Sequence, residues 1–529
     1  MTFSTEGRWS RRSTLAMLVS GATSSFSMAQ AGRVGPYPFR LGVASGEPLS
    51  DGFVIWTRLS VDPADPRGGL PRAPYTVKWE IATDERFTAV TRSGEAIAHP
   101  ELGHSVHVEI EGLPSGRPWW YRFILDGHSS ATGRARTTVP AGMPVRQLRL
   151  ASVGCQHFEQ GYYTAYRHLA QEDDLDFVFH SGDYIYEMTP NEQVRNARGG
   201  FTPVVRLHSG DALFSLDDYR LRYAQYRSDP DLQAAHAAAP WFGSFDDHEV
   251  ANNWAADLDQ VGTPSDVFLL RRASAFQAFY EHLPLRRTSL PRNGSIAMFR
   301  RAMFGDLLQA HFLDTRQFRS DQPCGDKVKP LCADIENPDA TILGTAEEAW
   351  LAEGLQPGRA RWNLLAQQVM MMDLDRHTDD IAPVPLLNMD AWTAYRAPRQ
   401  RLLDHIHAAG LGNVVVLTGD EHQAYAGEIR LNGGTSDSPI IAHEFVGTSI
   451  STAGDGSDLR PGAAEILSRN PHCRMINDQR GYLLCTITPE SWTSEFKVLD
   501  YVSRPGSPIH TRVRFVVEAD QPGLTTSEA

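Results

Sequence analysis

Phe177-Val178-Phe179-His180-Ser181-Gly182-Asp183-Tyr184-Ile185-Tyr186-Glu187 opens as a short apolar run and breaks at a glycine into carboxylates and phenols. Such a run, bounded by turn residues, reads as a buried strand. The polar groups beyond it stand where an open α/β sheet gathers functional side chains, past the carboxyl ends of its strands. The same grammar recurs. Leu148–Val153 leads into Gly154-Cys155-Gln156, residues 241–245 into Asp246-Asp247-His248-Glu249, and Val414–Thr418 into Gly419-Asp420-Glu421-His422. Together these clusters offer a thiolate, carboxylates, phenols and imidazoles, a ligand set for hard or borderline cations. Taken singly, each also fits a plainer role. Gly-Asp makes turns, Asp246-Asp247 could cap a following helix with Glu249 in its first turn, and Cys155 could be inert packing. Four clusters after four strands favour a shared site.

Further apolar runs at 307–313 and Ile440–Val446 add strands, and the stretches 163–169, 213–226, 267–282, 346–354 and 397–409 have helical character. Strands alternating with helices predict an α/β catalytic region over residues 143–529. Residues 32–142 carry a different pattern. Val77-Lys78-Trp79-Glu80-Ile81 and His107-Val108-Glu109-Ile110 alternate with period two, and Trp120-Tyr121-Arg122-Phe123 is aromatic, which predicts a β-sandwich. The turn Gly112-Leu113-Pro114-Ser115-Gly116 ahead of Tyr121 resembles the corner of fibronectin type III domains. Residues 140–144 read as the linker between the two parts.

The first 31 residues read as an address. Ser10-Arg11-Arg12-Ser13-Thr14-Leu15 precedes a weakly apolar stretch that ends at Ala29-Gln30-Ala31, a small-x-small cleavage signal. Paired arginines there resemble a twin-arginine export signal, which implies contact with the twin-arginine machinery and a periplasmic or secreted location. At 529 residues the chain exceeds one ordinary core, and 41% hydrophobic with 22% charged residues is a soluble globular balance. No later segment approaches the roughly 18 apolar residues of a spanning helix. A net charge of -14 repels a nucleic-acid backbone, so no stable nucleic-acid partner is expected. Five cysteines leave one over: spacing suggests Cys324 with Cys332 and Cys473 with Cys485, leaving Cys155 free.

The ordered set Ser152-Val153-Gly154-Cys155-Gln156, Gly182 to Glu187, Asp246-Asp247-His248-Glu249, Leu313-Asp314-Thr315-Arg316-Gln317 and Gly419-Asp420-Glu421-His422 resembles the alkaline phosphatase D family. Leu41 to Pro48 and Trp56-Thr57-Arg58-Leu59 resemble that family's N-terminal domain. The resemblance implies a two-sheet αββα calcineurin-like metallophosphoesterase sandwich, preceded by the fibronectin III-like domain. It implies Fe(III) and Ca²⁺ as cofactors. Cys155, Asp183, Tyr186, Asp247, Asp420 and His422 are the implied metal ligands, with Asp183 bridging and Tyr186 the phenolate that favours ferric iron. His248 is the implied general acid, and Arg316 contacts phosphate or forms a buried pair with an aspartate. The superfamily histidine before the last block has no counterpart, since Trp362 to Gln368 offers only the amides Asn363, Gln367 and Gln368. The expected reaction is hydrolysis of a phosphate monoester or diester by attack of a metal-bound hydroxide. Its rivals are a phospholipase D-like phosphodiesterase on the same scaffold and a non-catalytic cell-surface binding protein.

Overall fold

Apolar strands that are covered on both faces must pack between layers, and the chain satisfies this with two stacked sheets. The computed structural model describes residues 34–195, 201–378, 384–431, 433 and 437–527. The expected leader, residues 1–31, lies outside them. The larger sheet has ten strands, in the order Thr525–Ser527, Ile509–Glu518, Ser491–Leu499, Gly481–Ile487, Leu148–Val153, Phe177–His180, Pro240–Gly243, Val43–Leu49, Gly52–Arg58 and Ser105–Ile110. The second has seven, in the order Arg300–Phe304, Leu308–Phe312, Trp362–Ala366, Val414–Thr418, Ile440–Val446, Ala424–Arg430 and Cys473–Asn477. At the centre of each sheet neighbouring strands run parallel, so their carboxyl ends share one edge.

Leu150, Phe177, Phe179, Phe242, Phe312, Val415 and Leu417 fill the space between the sheets. The helices Leu216–Arg227, Pro230–Ala238 and Ser265–His282 cover the ten-stranded sheet through Tyr219, Tyr223, Leu232, Phe276 and Phe279. Gly344–Gly354 and Arg396–Ala408 cover the other sheet through Leu351, Leu403 and Ile406. The layers therefore run helix, sheet, sheet, helix. The mixed α/β expectation holds, and each of the six strands read from the sequence forms to within a residue or two.

The N-terminal part differs from a free-standing sandwich. Its own sheet, Val90–Ala98, Tyr75–Ala82, Pro118–Leu125 and His128–Ser129 with Gly133–Arg136 on Pro118–Leu125, buries Val77, Ile81, Tyr121 and Phe123 against Val43, Phe53, Ile55 and Val106. The strands that supply the latter four belong to the ten-stranded sheet. Ser45 and Gly46 pair in parallel with Pro240 and Trp241. A Cβ at Gly46 would lie 2.5 Å from the Pro284 carbonyl oxygen and 2.7 Å from that of Trp241, so only glycine allows this join. Period-two alternation reports a two-faced strand without saying which sheet it enters.

One cysteine expectation is corrected. Cys324 and Cys332 form a disulfide, whereas Cys473 and Cys485 are both free and buried. The chain crosses from the seven-stranded to the ten-stranded sheet between them, which places their thiols in different cores despite the short spacing.

Because one sheet is continuous across both parts, a chain beginning at residue 143 should lose the strand that covers Pro240–Gly243 and expose its edge. We expect that fragment to be insoluble or to lack a cooperative unfolding transition by circular dichroism; a fragment as stable as the whole chain would contradict the shared sheet.

Candidate metal centre

Four loops leave the carboxyl ends of Leu148–Val153, Phe177–His180, Pro240–Gly243 and Val414–Thr418, and they bring Cys155, Asp183, Asp246, Asp247, Asp420 and His422 together. The loops are tied to one another. Cys155 N–H donates to the Gly182 carbonyl at 3.1 Å and Gln156 N–H to that of Asp183 at 3.1 Å. Gly182 has φ +125°, and a Cβ there would meet the Asp246 Cβ at 2.4 Å, so glycine is required where the second and third loops touch. Cys155, Asp183, Asp420 and His422 all take the left-handed backbone, with φ of 56°, 56°, 63° and 55°. Residues held there cost of order 1–3 kcal/mol each and concentrate at functional sites.

Among the described residues the donor atoms form three overlapping groups, each with its atoms within 4.8 Å of one another. Cys155, Asp183 and His422 make the first, Asp183, Asp247 and His248 the second, and Asp246, Asp247 and Asp420 the third. Tyr186 joins the first: its hydroxyl lies 2.8 Å from Asp183 Oδ2 and 3.2 Å from His422 Nε2. Asp246, which in sequence fits a helix cap with Asp247, supplies a donor of the third group. Asp183 Oδ1 and Asp246 Oδ2 are buried and lack protein partners, which fits oxygen donors awaiting a cation. Gln367 is committed elsewhere, bonding Thr418 Oγ1, Trp392 Nε1 and the Val369 backbone, and Asn363 sits at the far end of its strand.

Supporting residues surround these groups. His248 Nδ1 lies 2.7 Å from Glu187 Oε2, and Glu187 Oε1 accepts the Asn252 N–H at 2.7 Å. Glu249, which the sequence placed in the first turn of a helix capped by Asp246-Asp247, accepts the backbone N–H groups of Asp183, Tyr184 and Asp246 at 3.2, 2.6 and 2.9 Å. Arg316 has no solvent exposure. Its Nε donates to Asp246 at 2.6 Å and Nη1 to Asp390 at 2.9 Å, while Nη2 stands 3.8 Å from Asp420. Its fork of donors is committed to aspartates, which is the buried pair that was one of its two sequence readings.

A family model described as PhoD-like phosphatase matches residues 150–496, and one for its N-terminal domain matches residues 24–139. The chain is 44% identical over 510 residues to alkaline phosphatase D of Bacillus subtilis (strain 168), covering 96% of this chain and 86% of that one. This chain belongs to the PhoD-like phosphatase family. It is a phosphoric ester hydrolase. Among solved structures, one described as PhoD superposes with a TM-score of 0.91 at 45% identity, covering 94% of each chain. Purple acid phosphatase PPD1 from yellow lupin (Lupinus luteus) seeds shares the fold, with a TM-score of 0.54 at 11% identity over 91% of this chain and 74% of that one.

In this PhoD-like phosphatase the metal-free site is crowded with like charge. Burial holds Asp183 and Asp420 well above the ordinary carboxylate range, with Asp247 and Asp246 respectively adding repulsion. Burial likewise raises Asp246 to about 7 and Glu249 to about 8. For Asp247 burial is outweighed by His248 and Arg316, which draw it below its usual value. Burial opposes charge on His248 too, yet Asp247, Glu187 and Asp183 together hold it protonated. Burial, then Asp183, raises the Cys155 thiol and the Tyr186 phenol, which holds both neutral.

A pH dependence follows. Unfolded, Asp246 and Glu249 ionise near 3.8 and 4.5; folded, they keep their protons to about 7 and about 8. The folded, metal-free chain therefore binds more protons across that window, and its stability falls as pH rises through it. With a cation on Asp246 that carboxylate would already be ionised, and the trend should flatten to the share that Glu249 contributes. Urea midpoints of metal-free and loaded protein at about pH 5.5 and about pH 8 check this; parallel trends would contradict it.

Proposed function

We propose that the protein is an exported, metal-dependent phosphoesterase that hydrolyses phosphate monoesters or diesters with Fe(III) and Ca²⁺. The observation that carries this reading is the sharing of Asp183 and Asp247 among three donor groups, with His248 beside them. Cys155, Asp183, Tyr186 and His422 would hold the ferric ion, since thiolate, phenolate and carboxylate suit a trivalent charge. Asp183, Asp247, Asp246 and Asp420 offer the oxygen-rich surroundings that suit calcium. When bound, such ions acidify water and neutralise the charge of the phosphoryl oxygens. Ser10 to Leu15 supports export through the twin-arginine machinery to the periplasm or beyond, and no helix of the described residues is long and apolar enough to cross a membrane. The same proposal takes residues 1–31 as leader, 32–142 as N-terminal domain and 143–529 as catalytic domain.

The chain's own work is to orient and to move a proton. Glu187 fixes Nδ1 of His248 and thereby leaves Nε2 to serve as the donor to the leaving alkoxide. Tyr186 packs against the His248 ring at 4.2 Å between centroids, limiting its swing. Arg316 keeps positive charge under Asp246 and Asp390 without itself reaching solvent, so it holds ligand carboxylates in place rather than substrate.

Tyrosinate or thiolate on ferric iron absorbs visible light, so the purified protein should be coloured, and Tyr186→Phe should shift or abolish the band. For His248→Ala we expect a loss of about 100- to 10,000-fold on an alkyl phosphate ester. The loss on p-nitrophenyl phosphate should be far smaller, because that leaving group departs without a proton. Equal losses with metal depletion would make His248 a ligand, and equal losses with metals retained would make it a substrate-positioning group.

A further inference from the structure

Thr452 touches two of the proposed iron ligands at once. Its Oγ1 lies 2.8 Å from Tyr186 Oη and 2.6 Å from the Cys155 carbonyl oxygen, and accepts the His157 N–H at 3.2 Å. The residue is held from behind: its carbonyl accepts from Ser449 Oγ at 2.9 Å and Arg480 Nη1 at 2.8 Å, and its N–H donates to Cys155 O at 3.3 Å. Only the hydroxyl proton is free to turn. A hydroxyl has one proton to give.

While Tyr186 is a phenol, its proton can rest on Asp183 Oδ2, and Thr452 can donate to the Cys155 carbonyl. As a phenolate, Tyr186 needs a donor. Asp183, ionised when it serves as a ligand, is then an acceptor only, and His422 Nε2, 3.2 Å away, has its lone pair engaged in the same state. Among the described neighbours that leaves Thr452. We propose that Thr452 is the positioning residue for Tyr186: its hydroxyl turns from the Cys155 carbonyl to the phenolate oxygen and sets how strongly that oxygen holds ferric iron. This rests on Tyr186 being a ligand.

A hydrogen bond lowers the energy of the oxygen lone pair from which the visible transition starts. Removing it raises that level and moves the band to longer wavelength. Thr452→Val deletes the hydroxyl at nearly constant volume, and Thr452→Ser restores it; should the valine variant not fold, Thr452→Ala carries the same test. In iron-loaded protein we expect the valine variant's band at longer wavelength, with iron affinity against a competing chelator weakened about 10- to 100-fold, as for other partners of metal ligands. The serine variant should match the parent in both. A purely structural loss would not move the band. An unchanged band and iron affinity in the valine variant, with Tyr186→Phe abolishing the colour, would overturn the role of Thr452. A band that survives Tyr186→Phe would instead sink the ligand assignment, and this inference with it.

Discussion

The carboxyl group of Glu249 lies under the loops that follow Phe177–His180 and Pro240–Gly243 and gathers the backbone N–H groups of Asp183, Tyr184 and Asp246. Those two loops carry the carboxylates shared among the donor groups, and four of the donors, Cys155, Asp183, Asp420 and His422, sit in left-handed backbone that extended or helical segments do not supply. Without an acceptor beneath them, three buried N–H groups would lose their partners, each costing about 1–3 kcal/mol. One side chain thus fixes the separation of Asp183 from Asp246 before any cation arrives. The ligands themselves are free to satisfy a metal because the backbone has already been satisfied.

A second constraint is charge. Asp183, Asp246, Asp247 and Asp390 are buried close together with Asp420 half-buried beside them; Arg316 reaches Asp246 and Asp390 directly, and Arg319 also pairs with Asp390 at 3.2 Å. Breaking a buried pair of this kind costs about 3–5 kcal/mol, since it strands the partner charge. The guanidinium answers part of the negative charge, and burial answers more by holding Asp183 and Asp420 above the ordinary carboxylate range. Function and stability meet here, because the residual repulsion that destabilises the metal-free fold is also the attraction that loads it.

Much of this was legible in the residues. Apolar strands ending in Gly-Cys, Gly-Asp, Asp-Asp-His-Glu and Gly-Asp-Glu-His located the sheet edges where the donor side chains gather, because buried parallel strands leave continuous apolar runs and their ends collect polar groups. Three things escaped. Gly46 joins the N-terminal strands to Pro240–Gly243, but a glycine that permits close approach looks the same in sequence as one in a turn. Cys473 and Cys485 are near in sequence and lie in different cores, since a short crossing between sheets leaves no compositional mark. Glu187, Glu249 and Thr452 act through residues far along the chain, and spacing cannot reveal partners 60 to 300 positions away.

The central claim is that this donor set is a catalytic iron–calcium centre built on a fold that stands without it. Metal analysis of protein from its native host, coupled to hydrolysis of p-nitrophenyl phosphate and its bis-ester before and after EGTA, tests it most directly. We predict about one iron per chain with calcium beside it. EGTA should remove activity, calcium should restore it, and circular dichroism should stay nearly unchanged, because cores of this size do not depend on a metal to fold. A colourless, fully active protein holding only zinc or manganese would contradict the assignment, as would full activity after complete removal of metal.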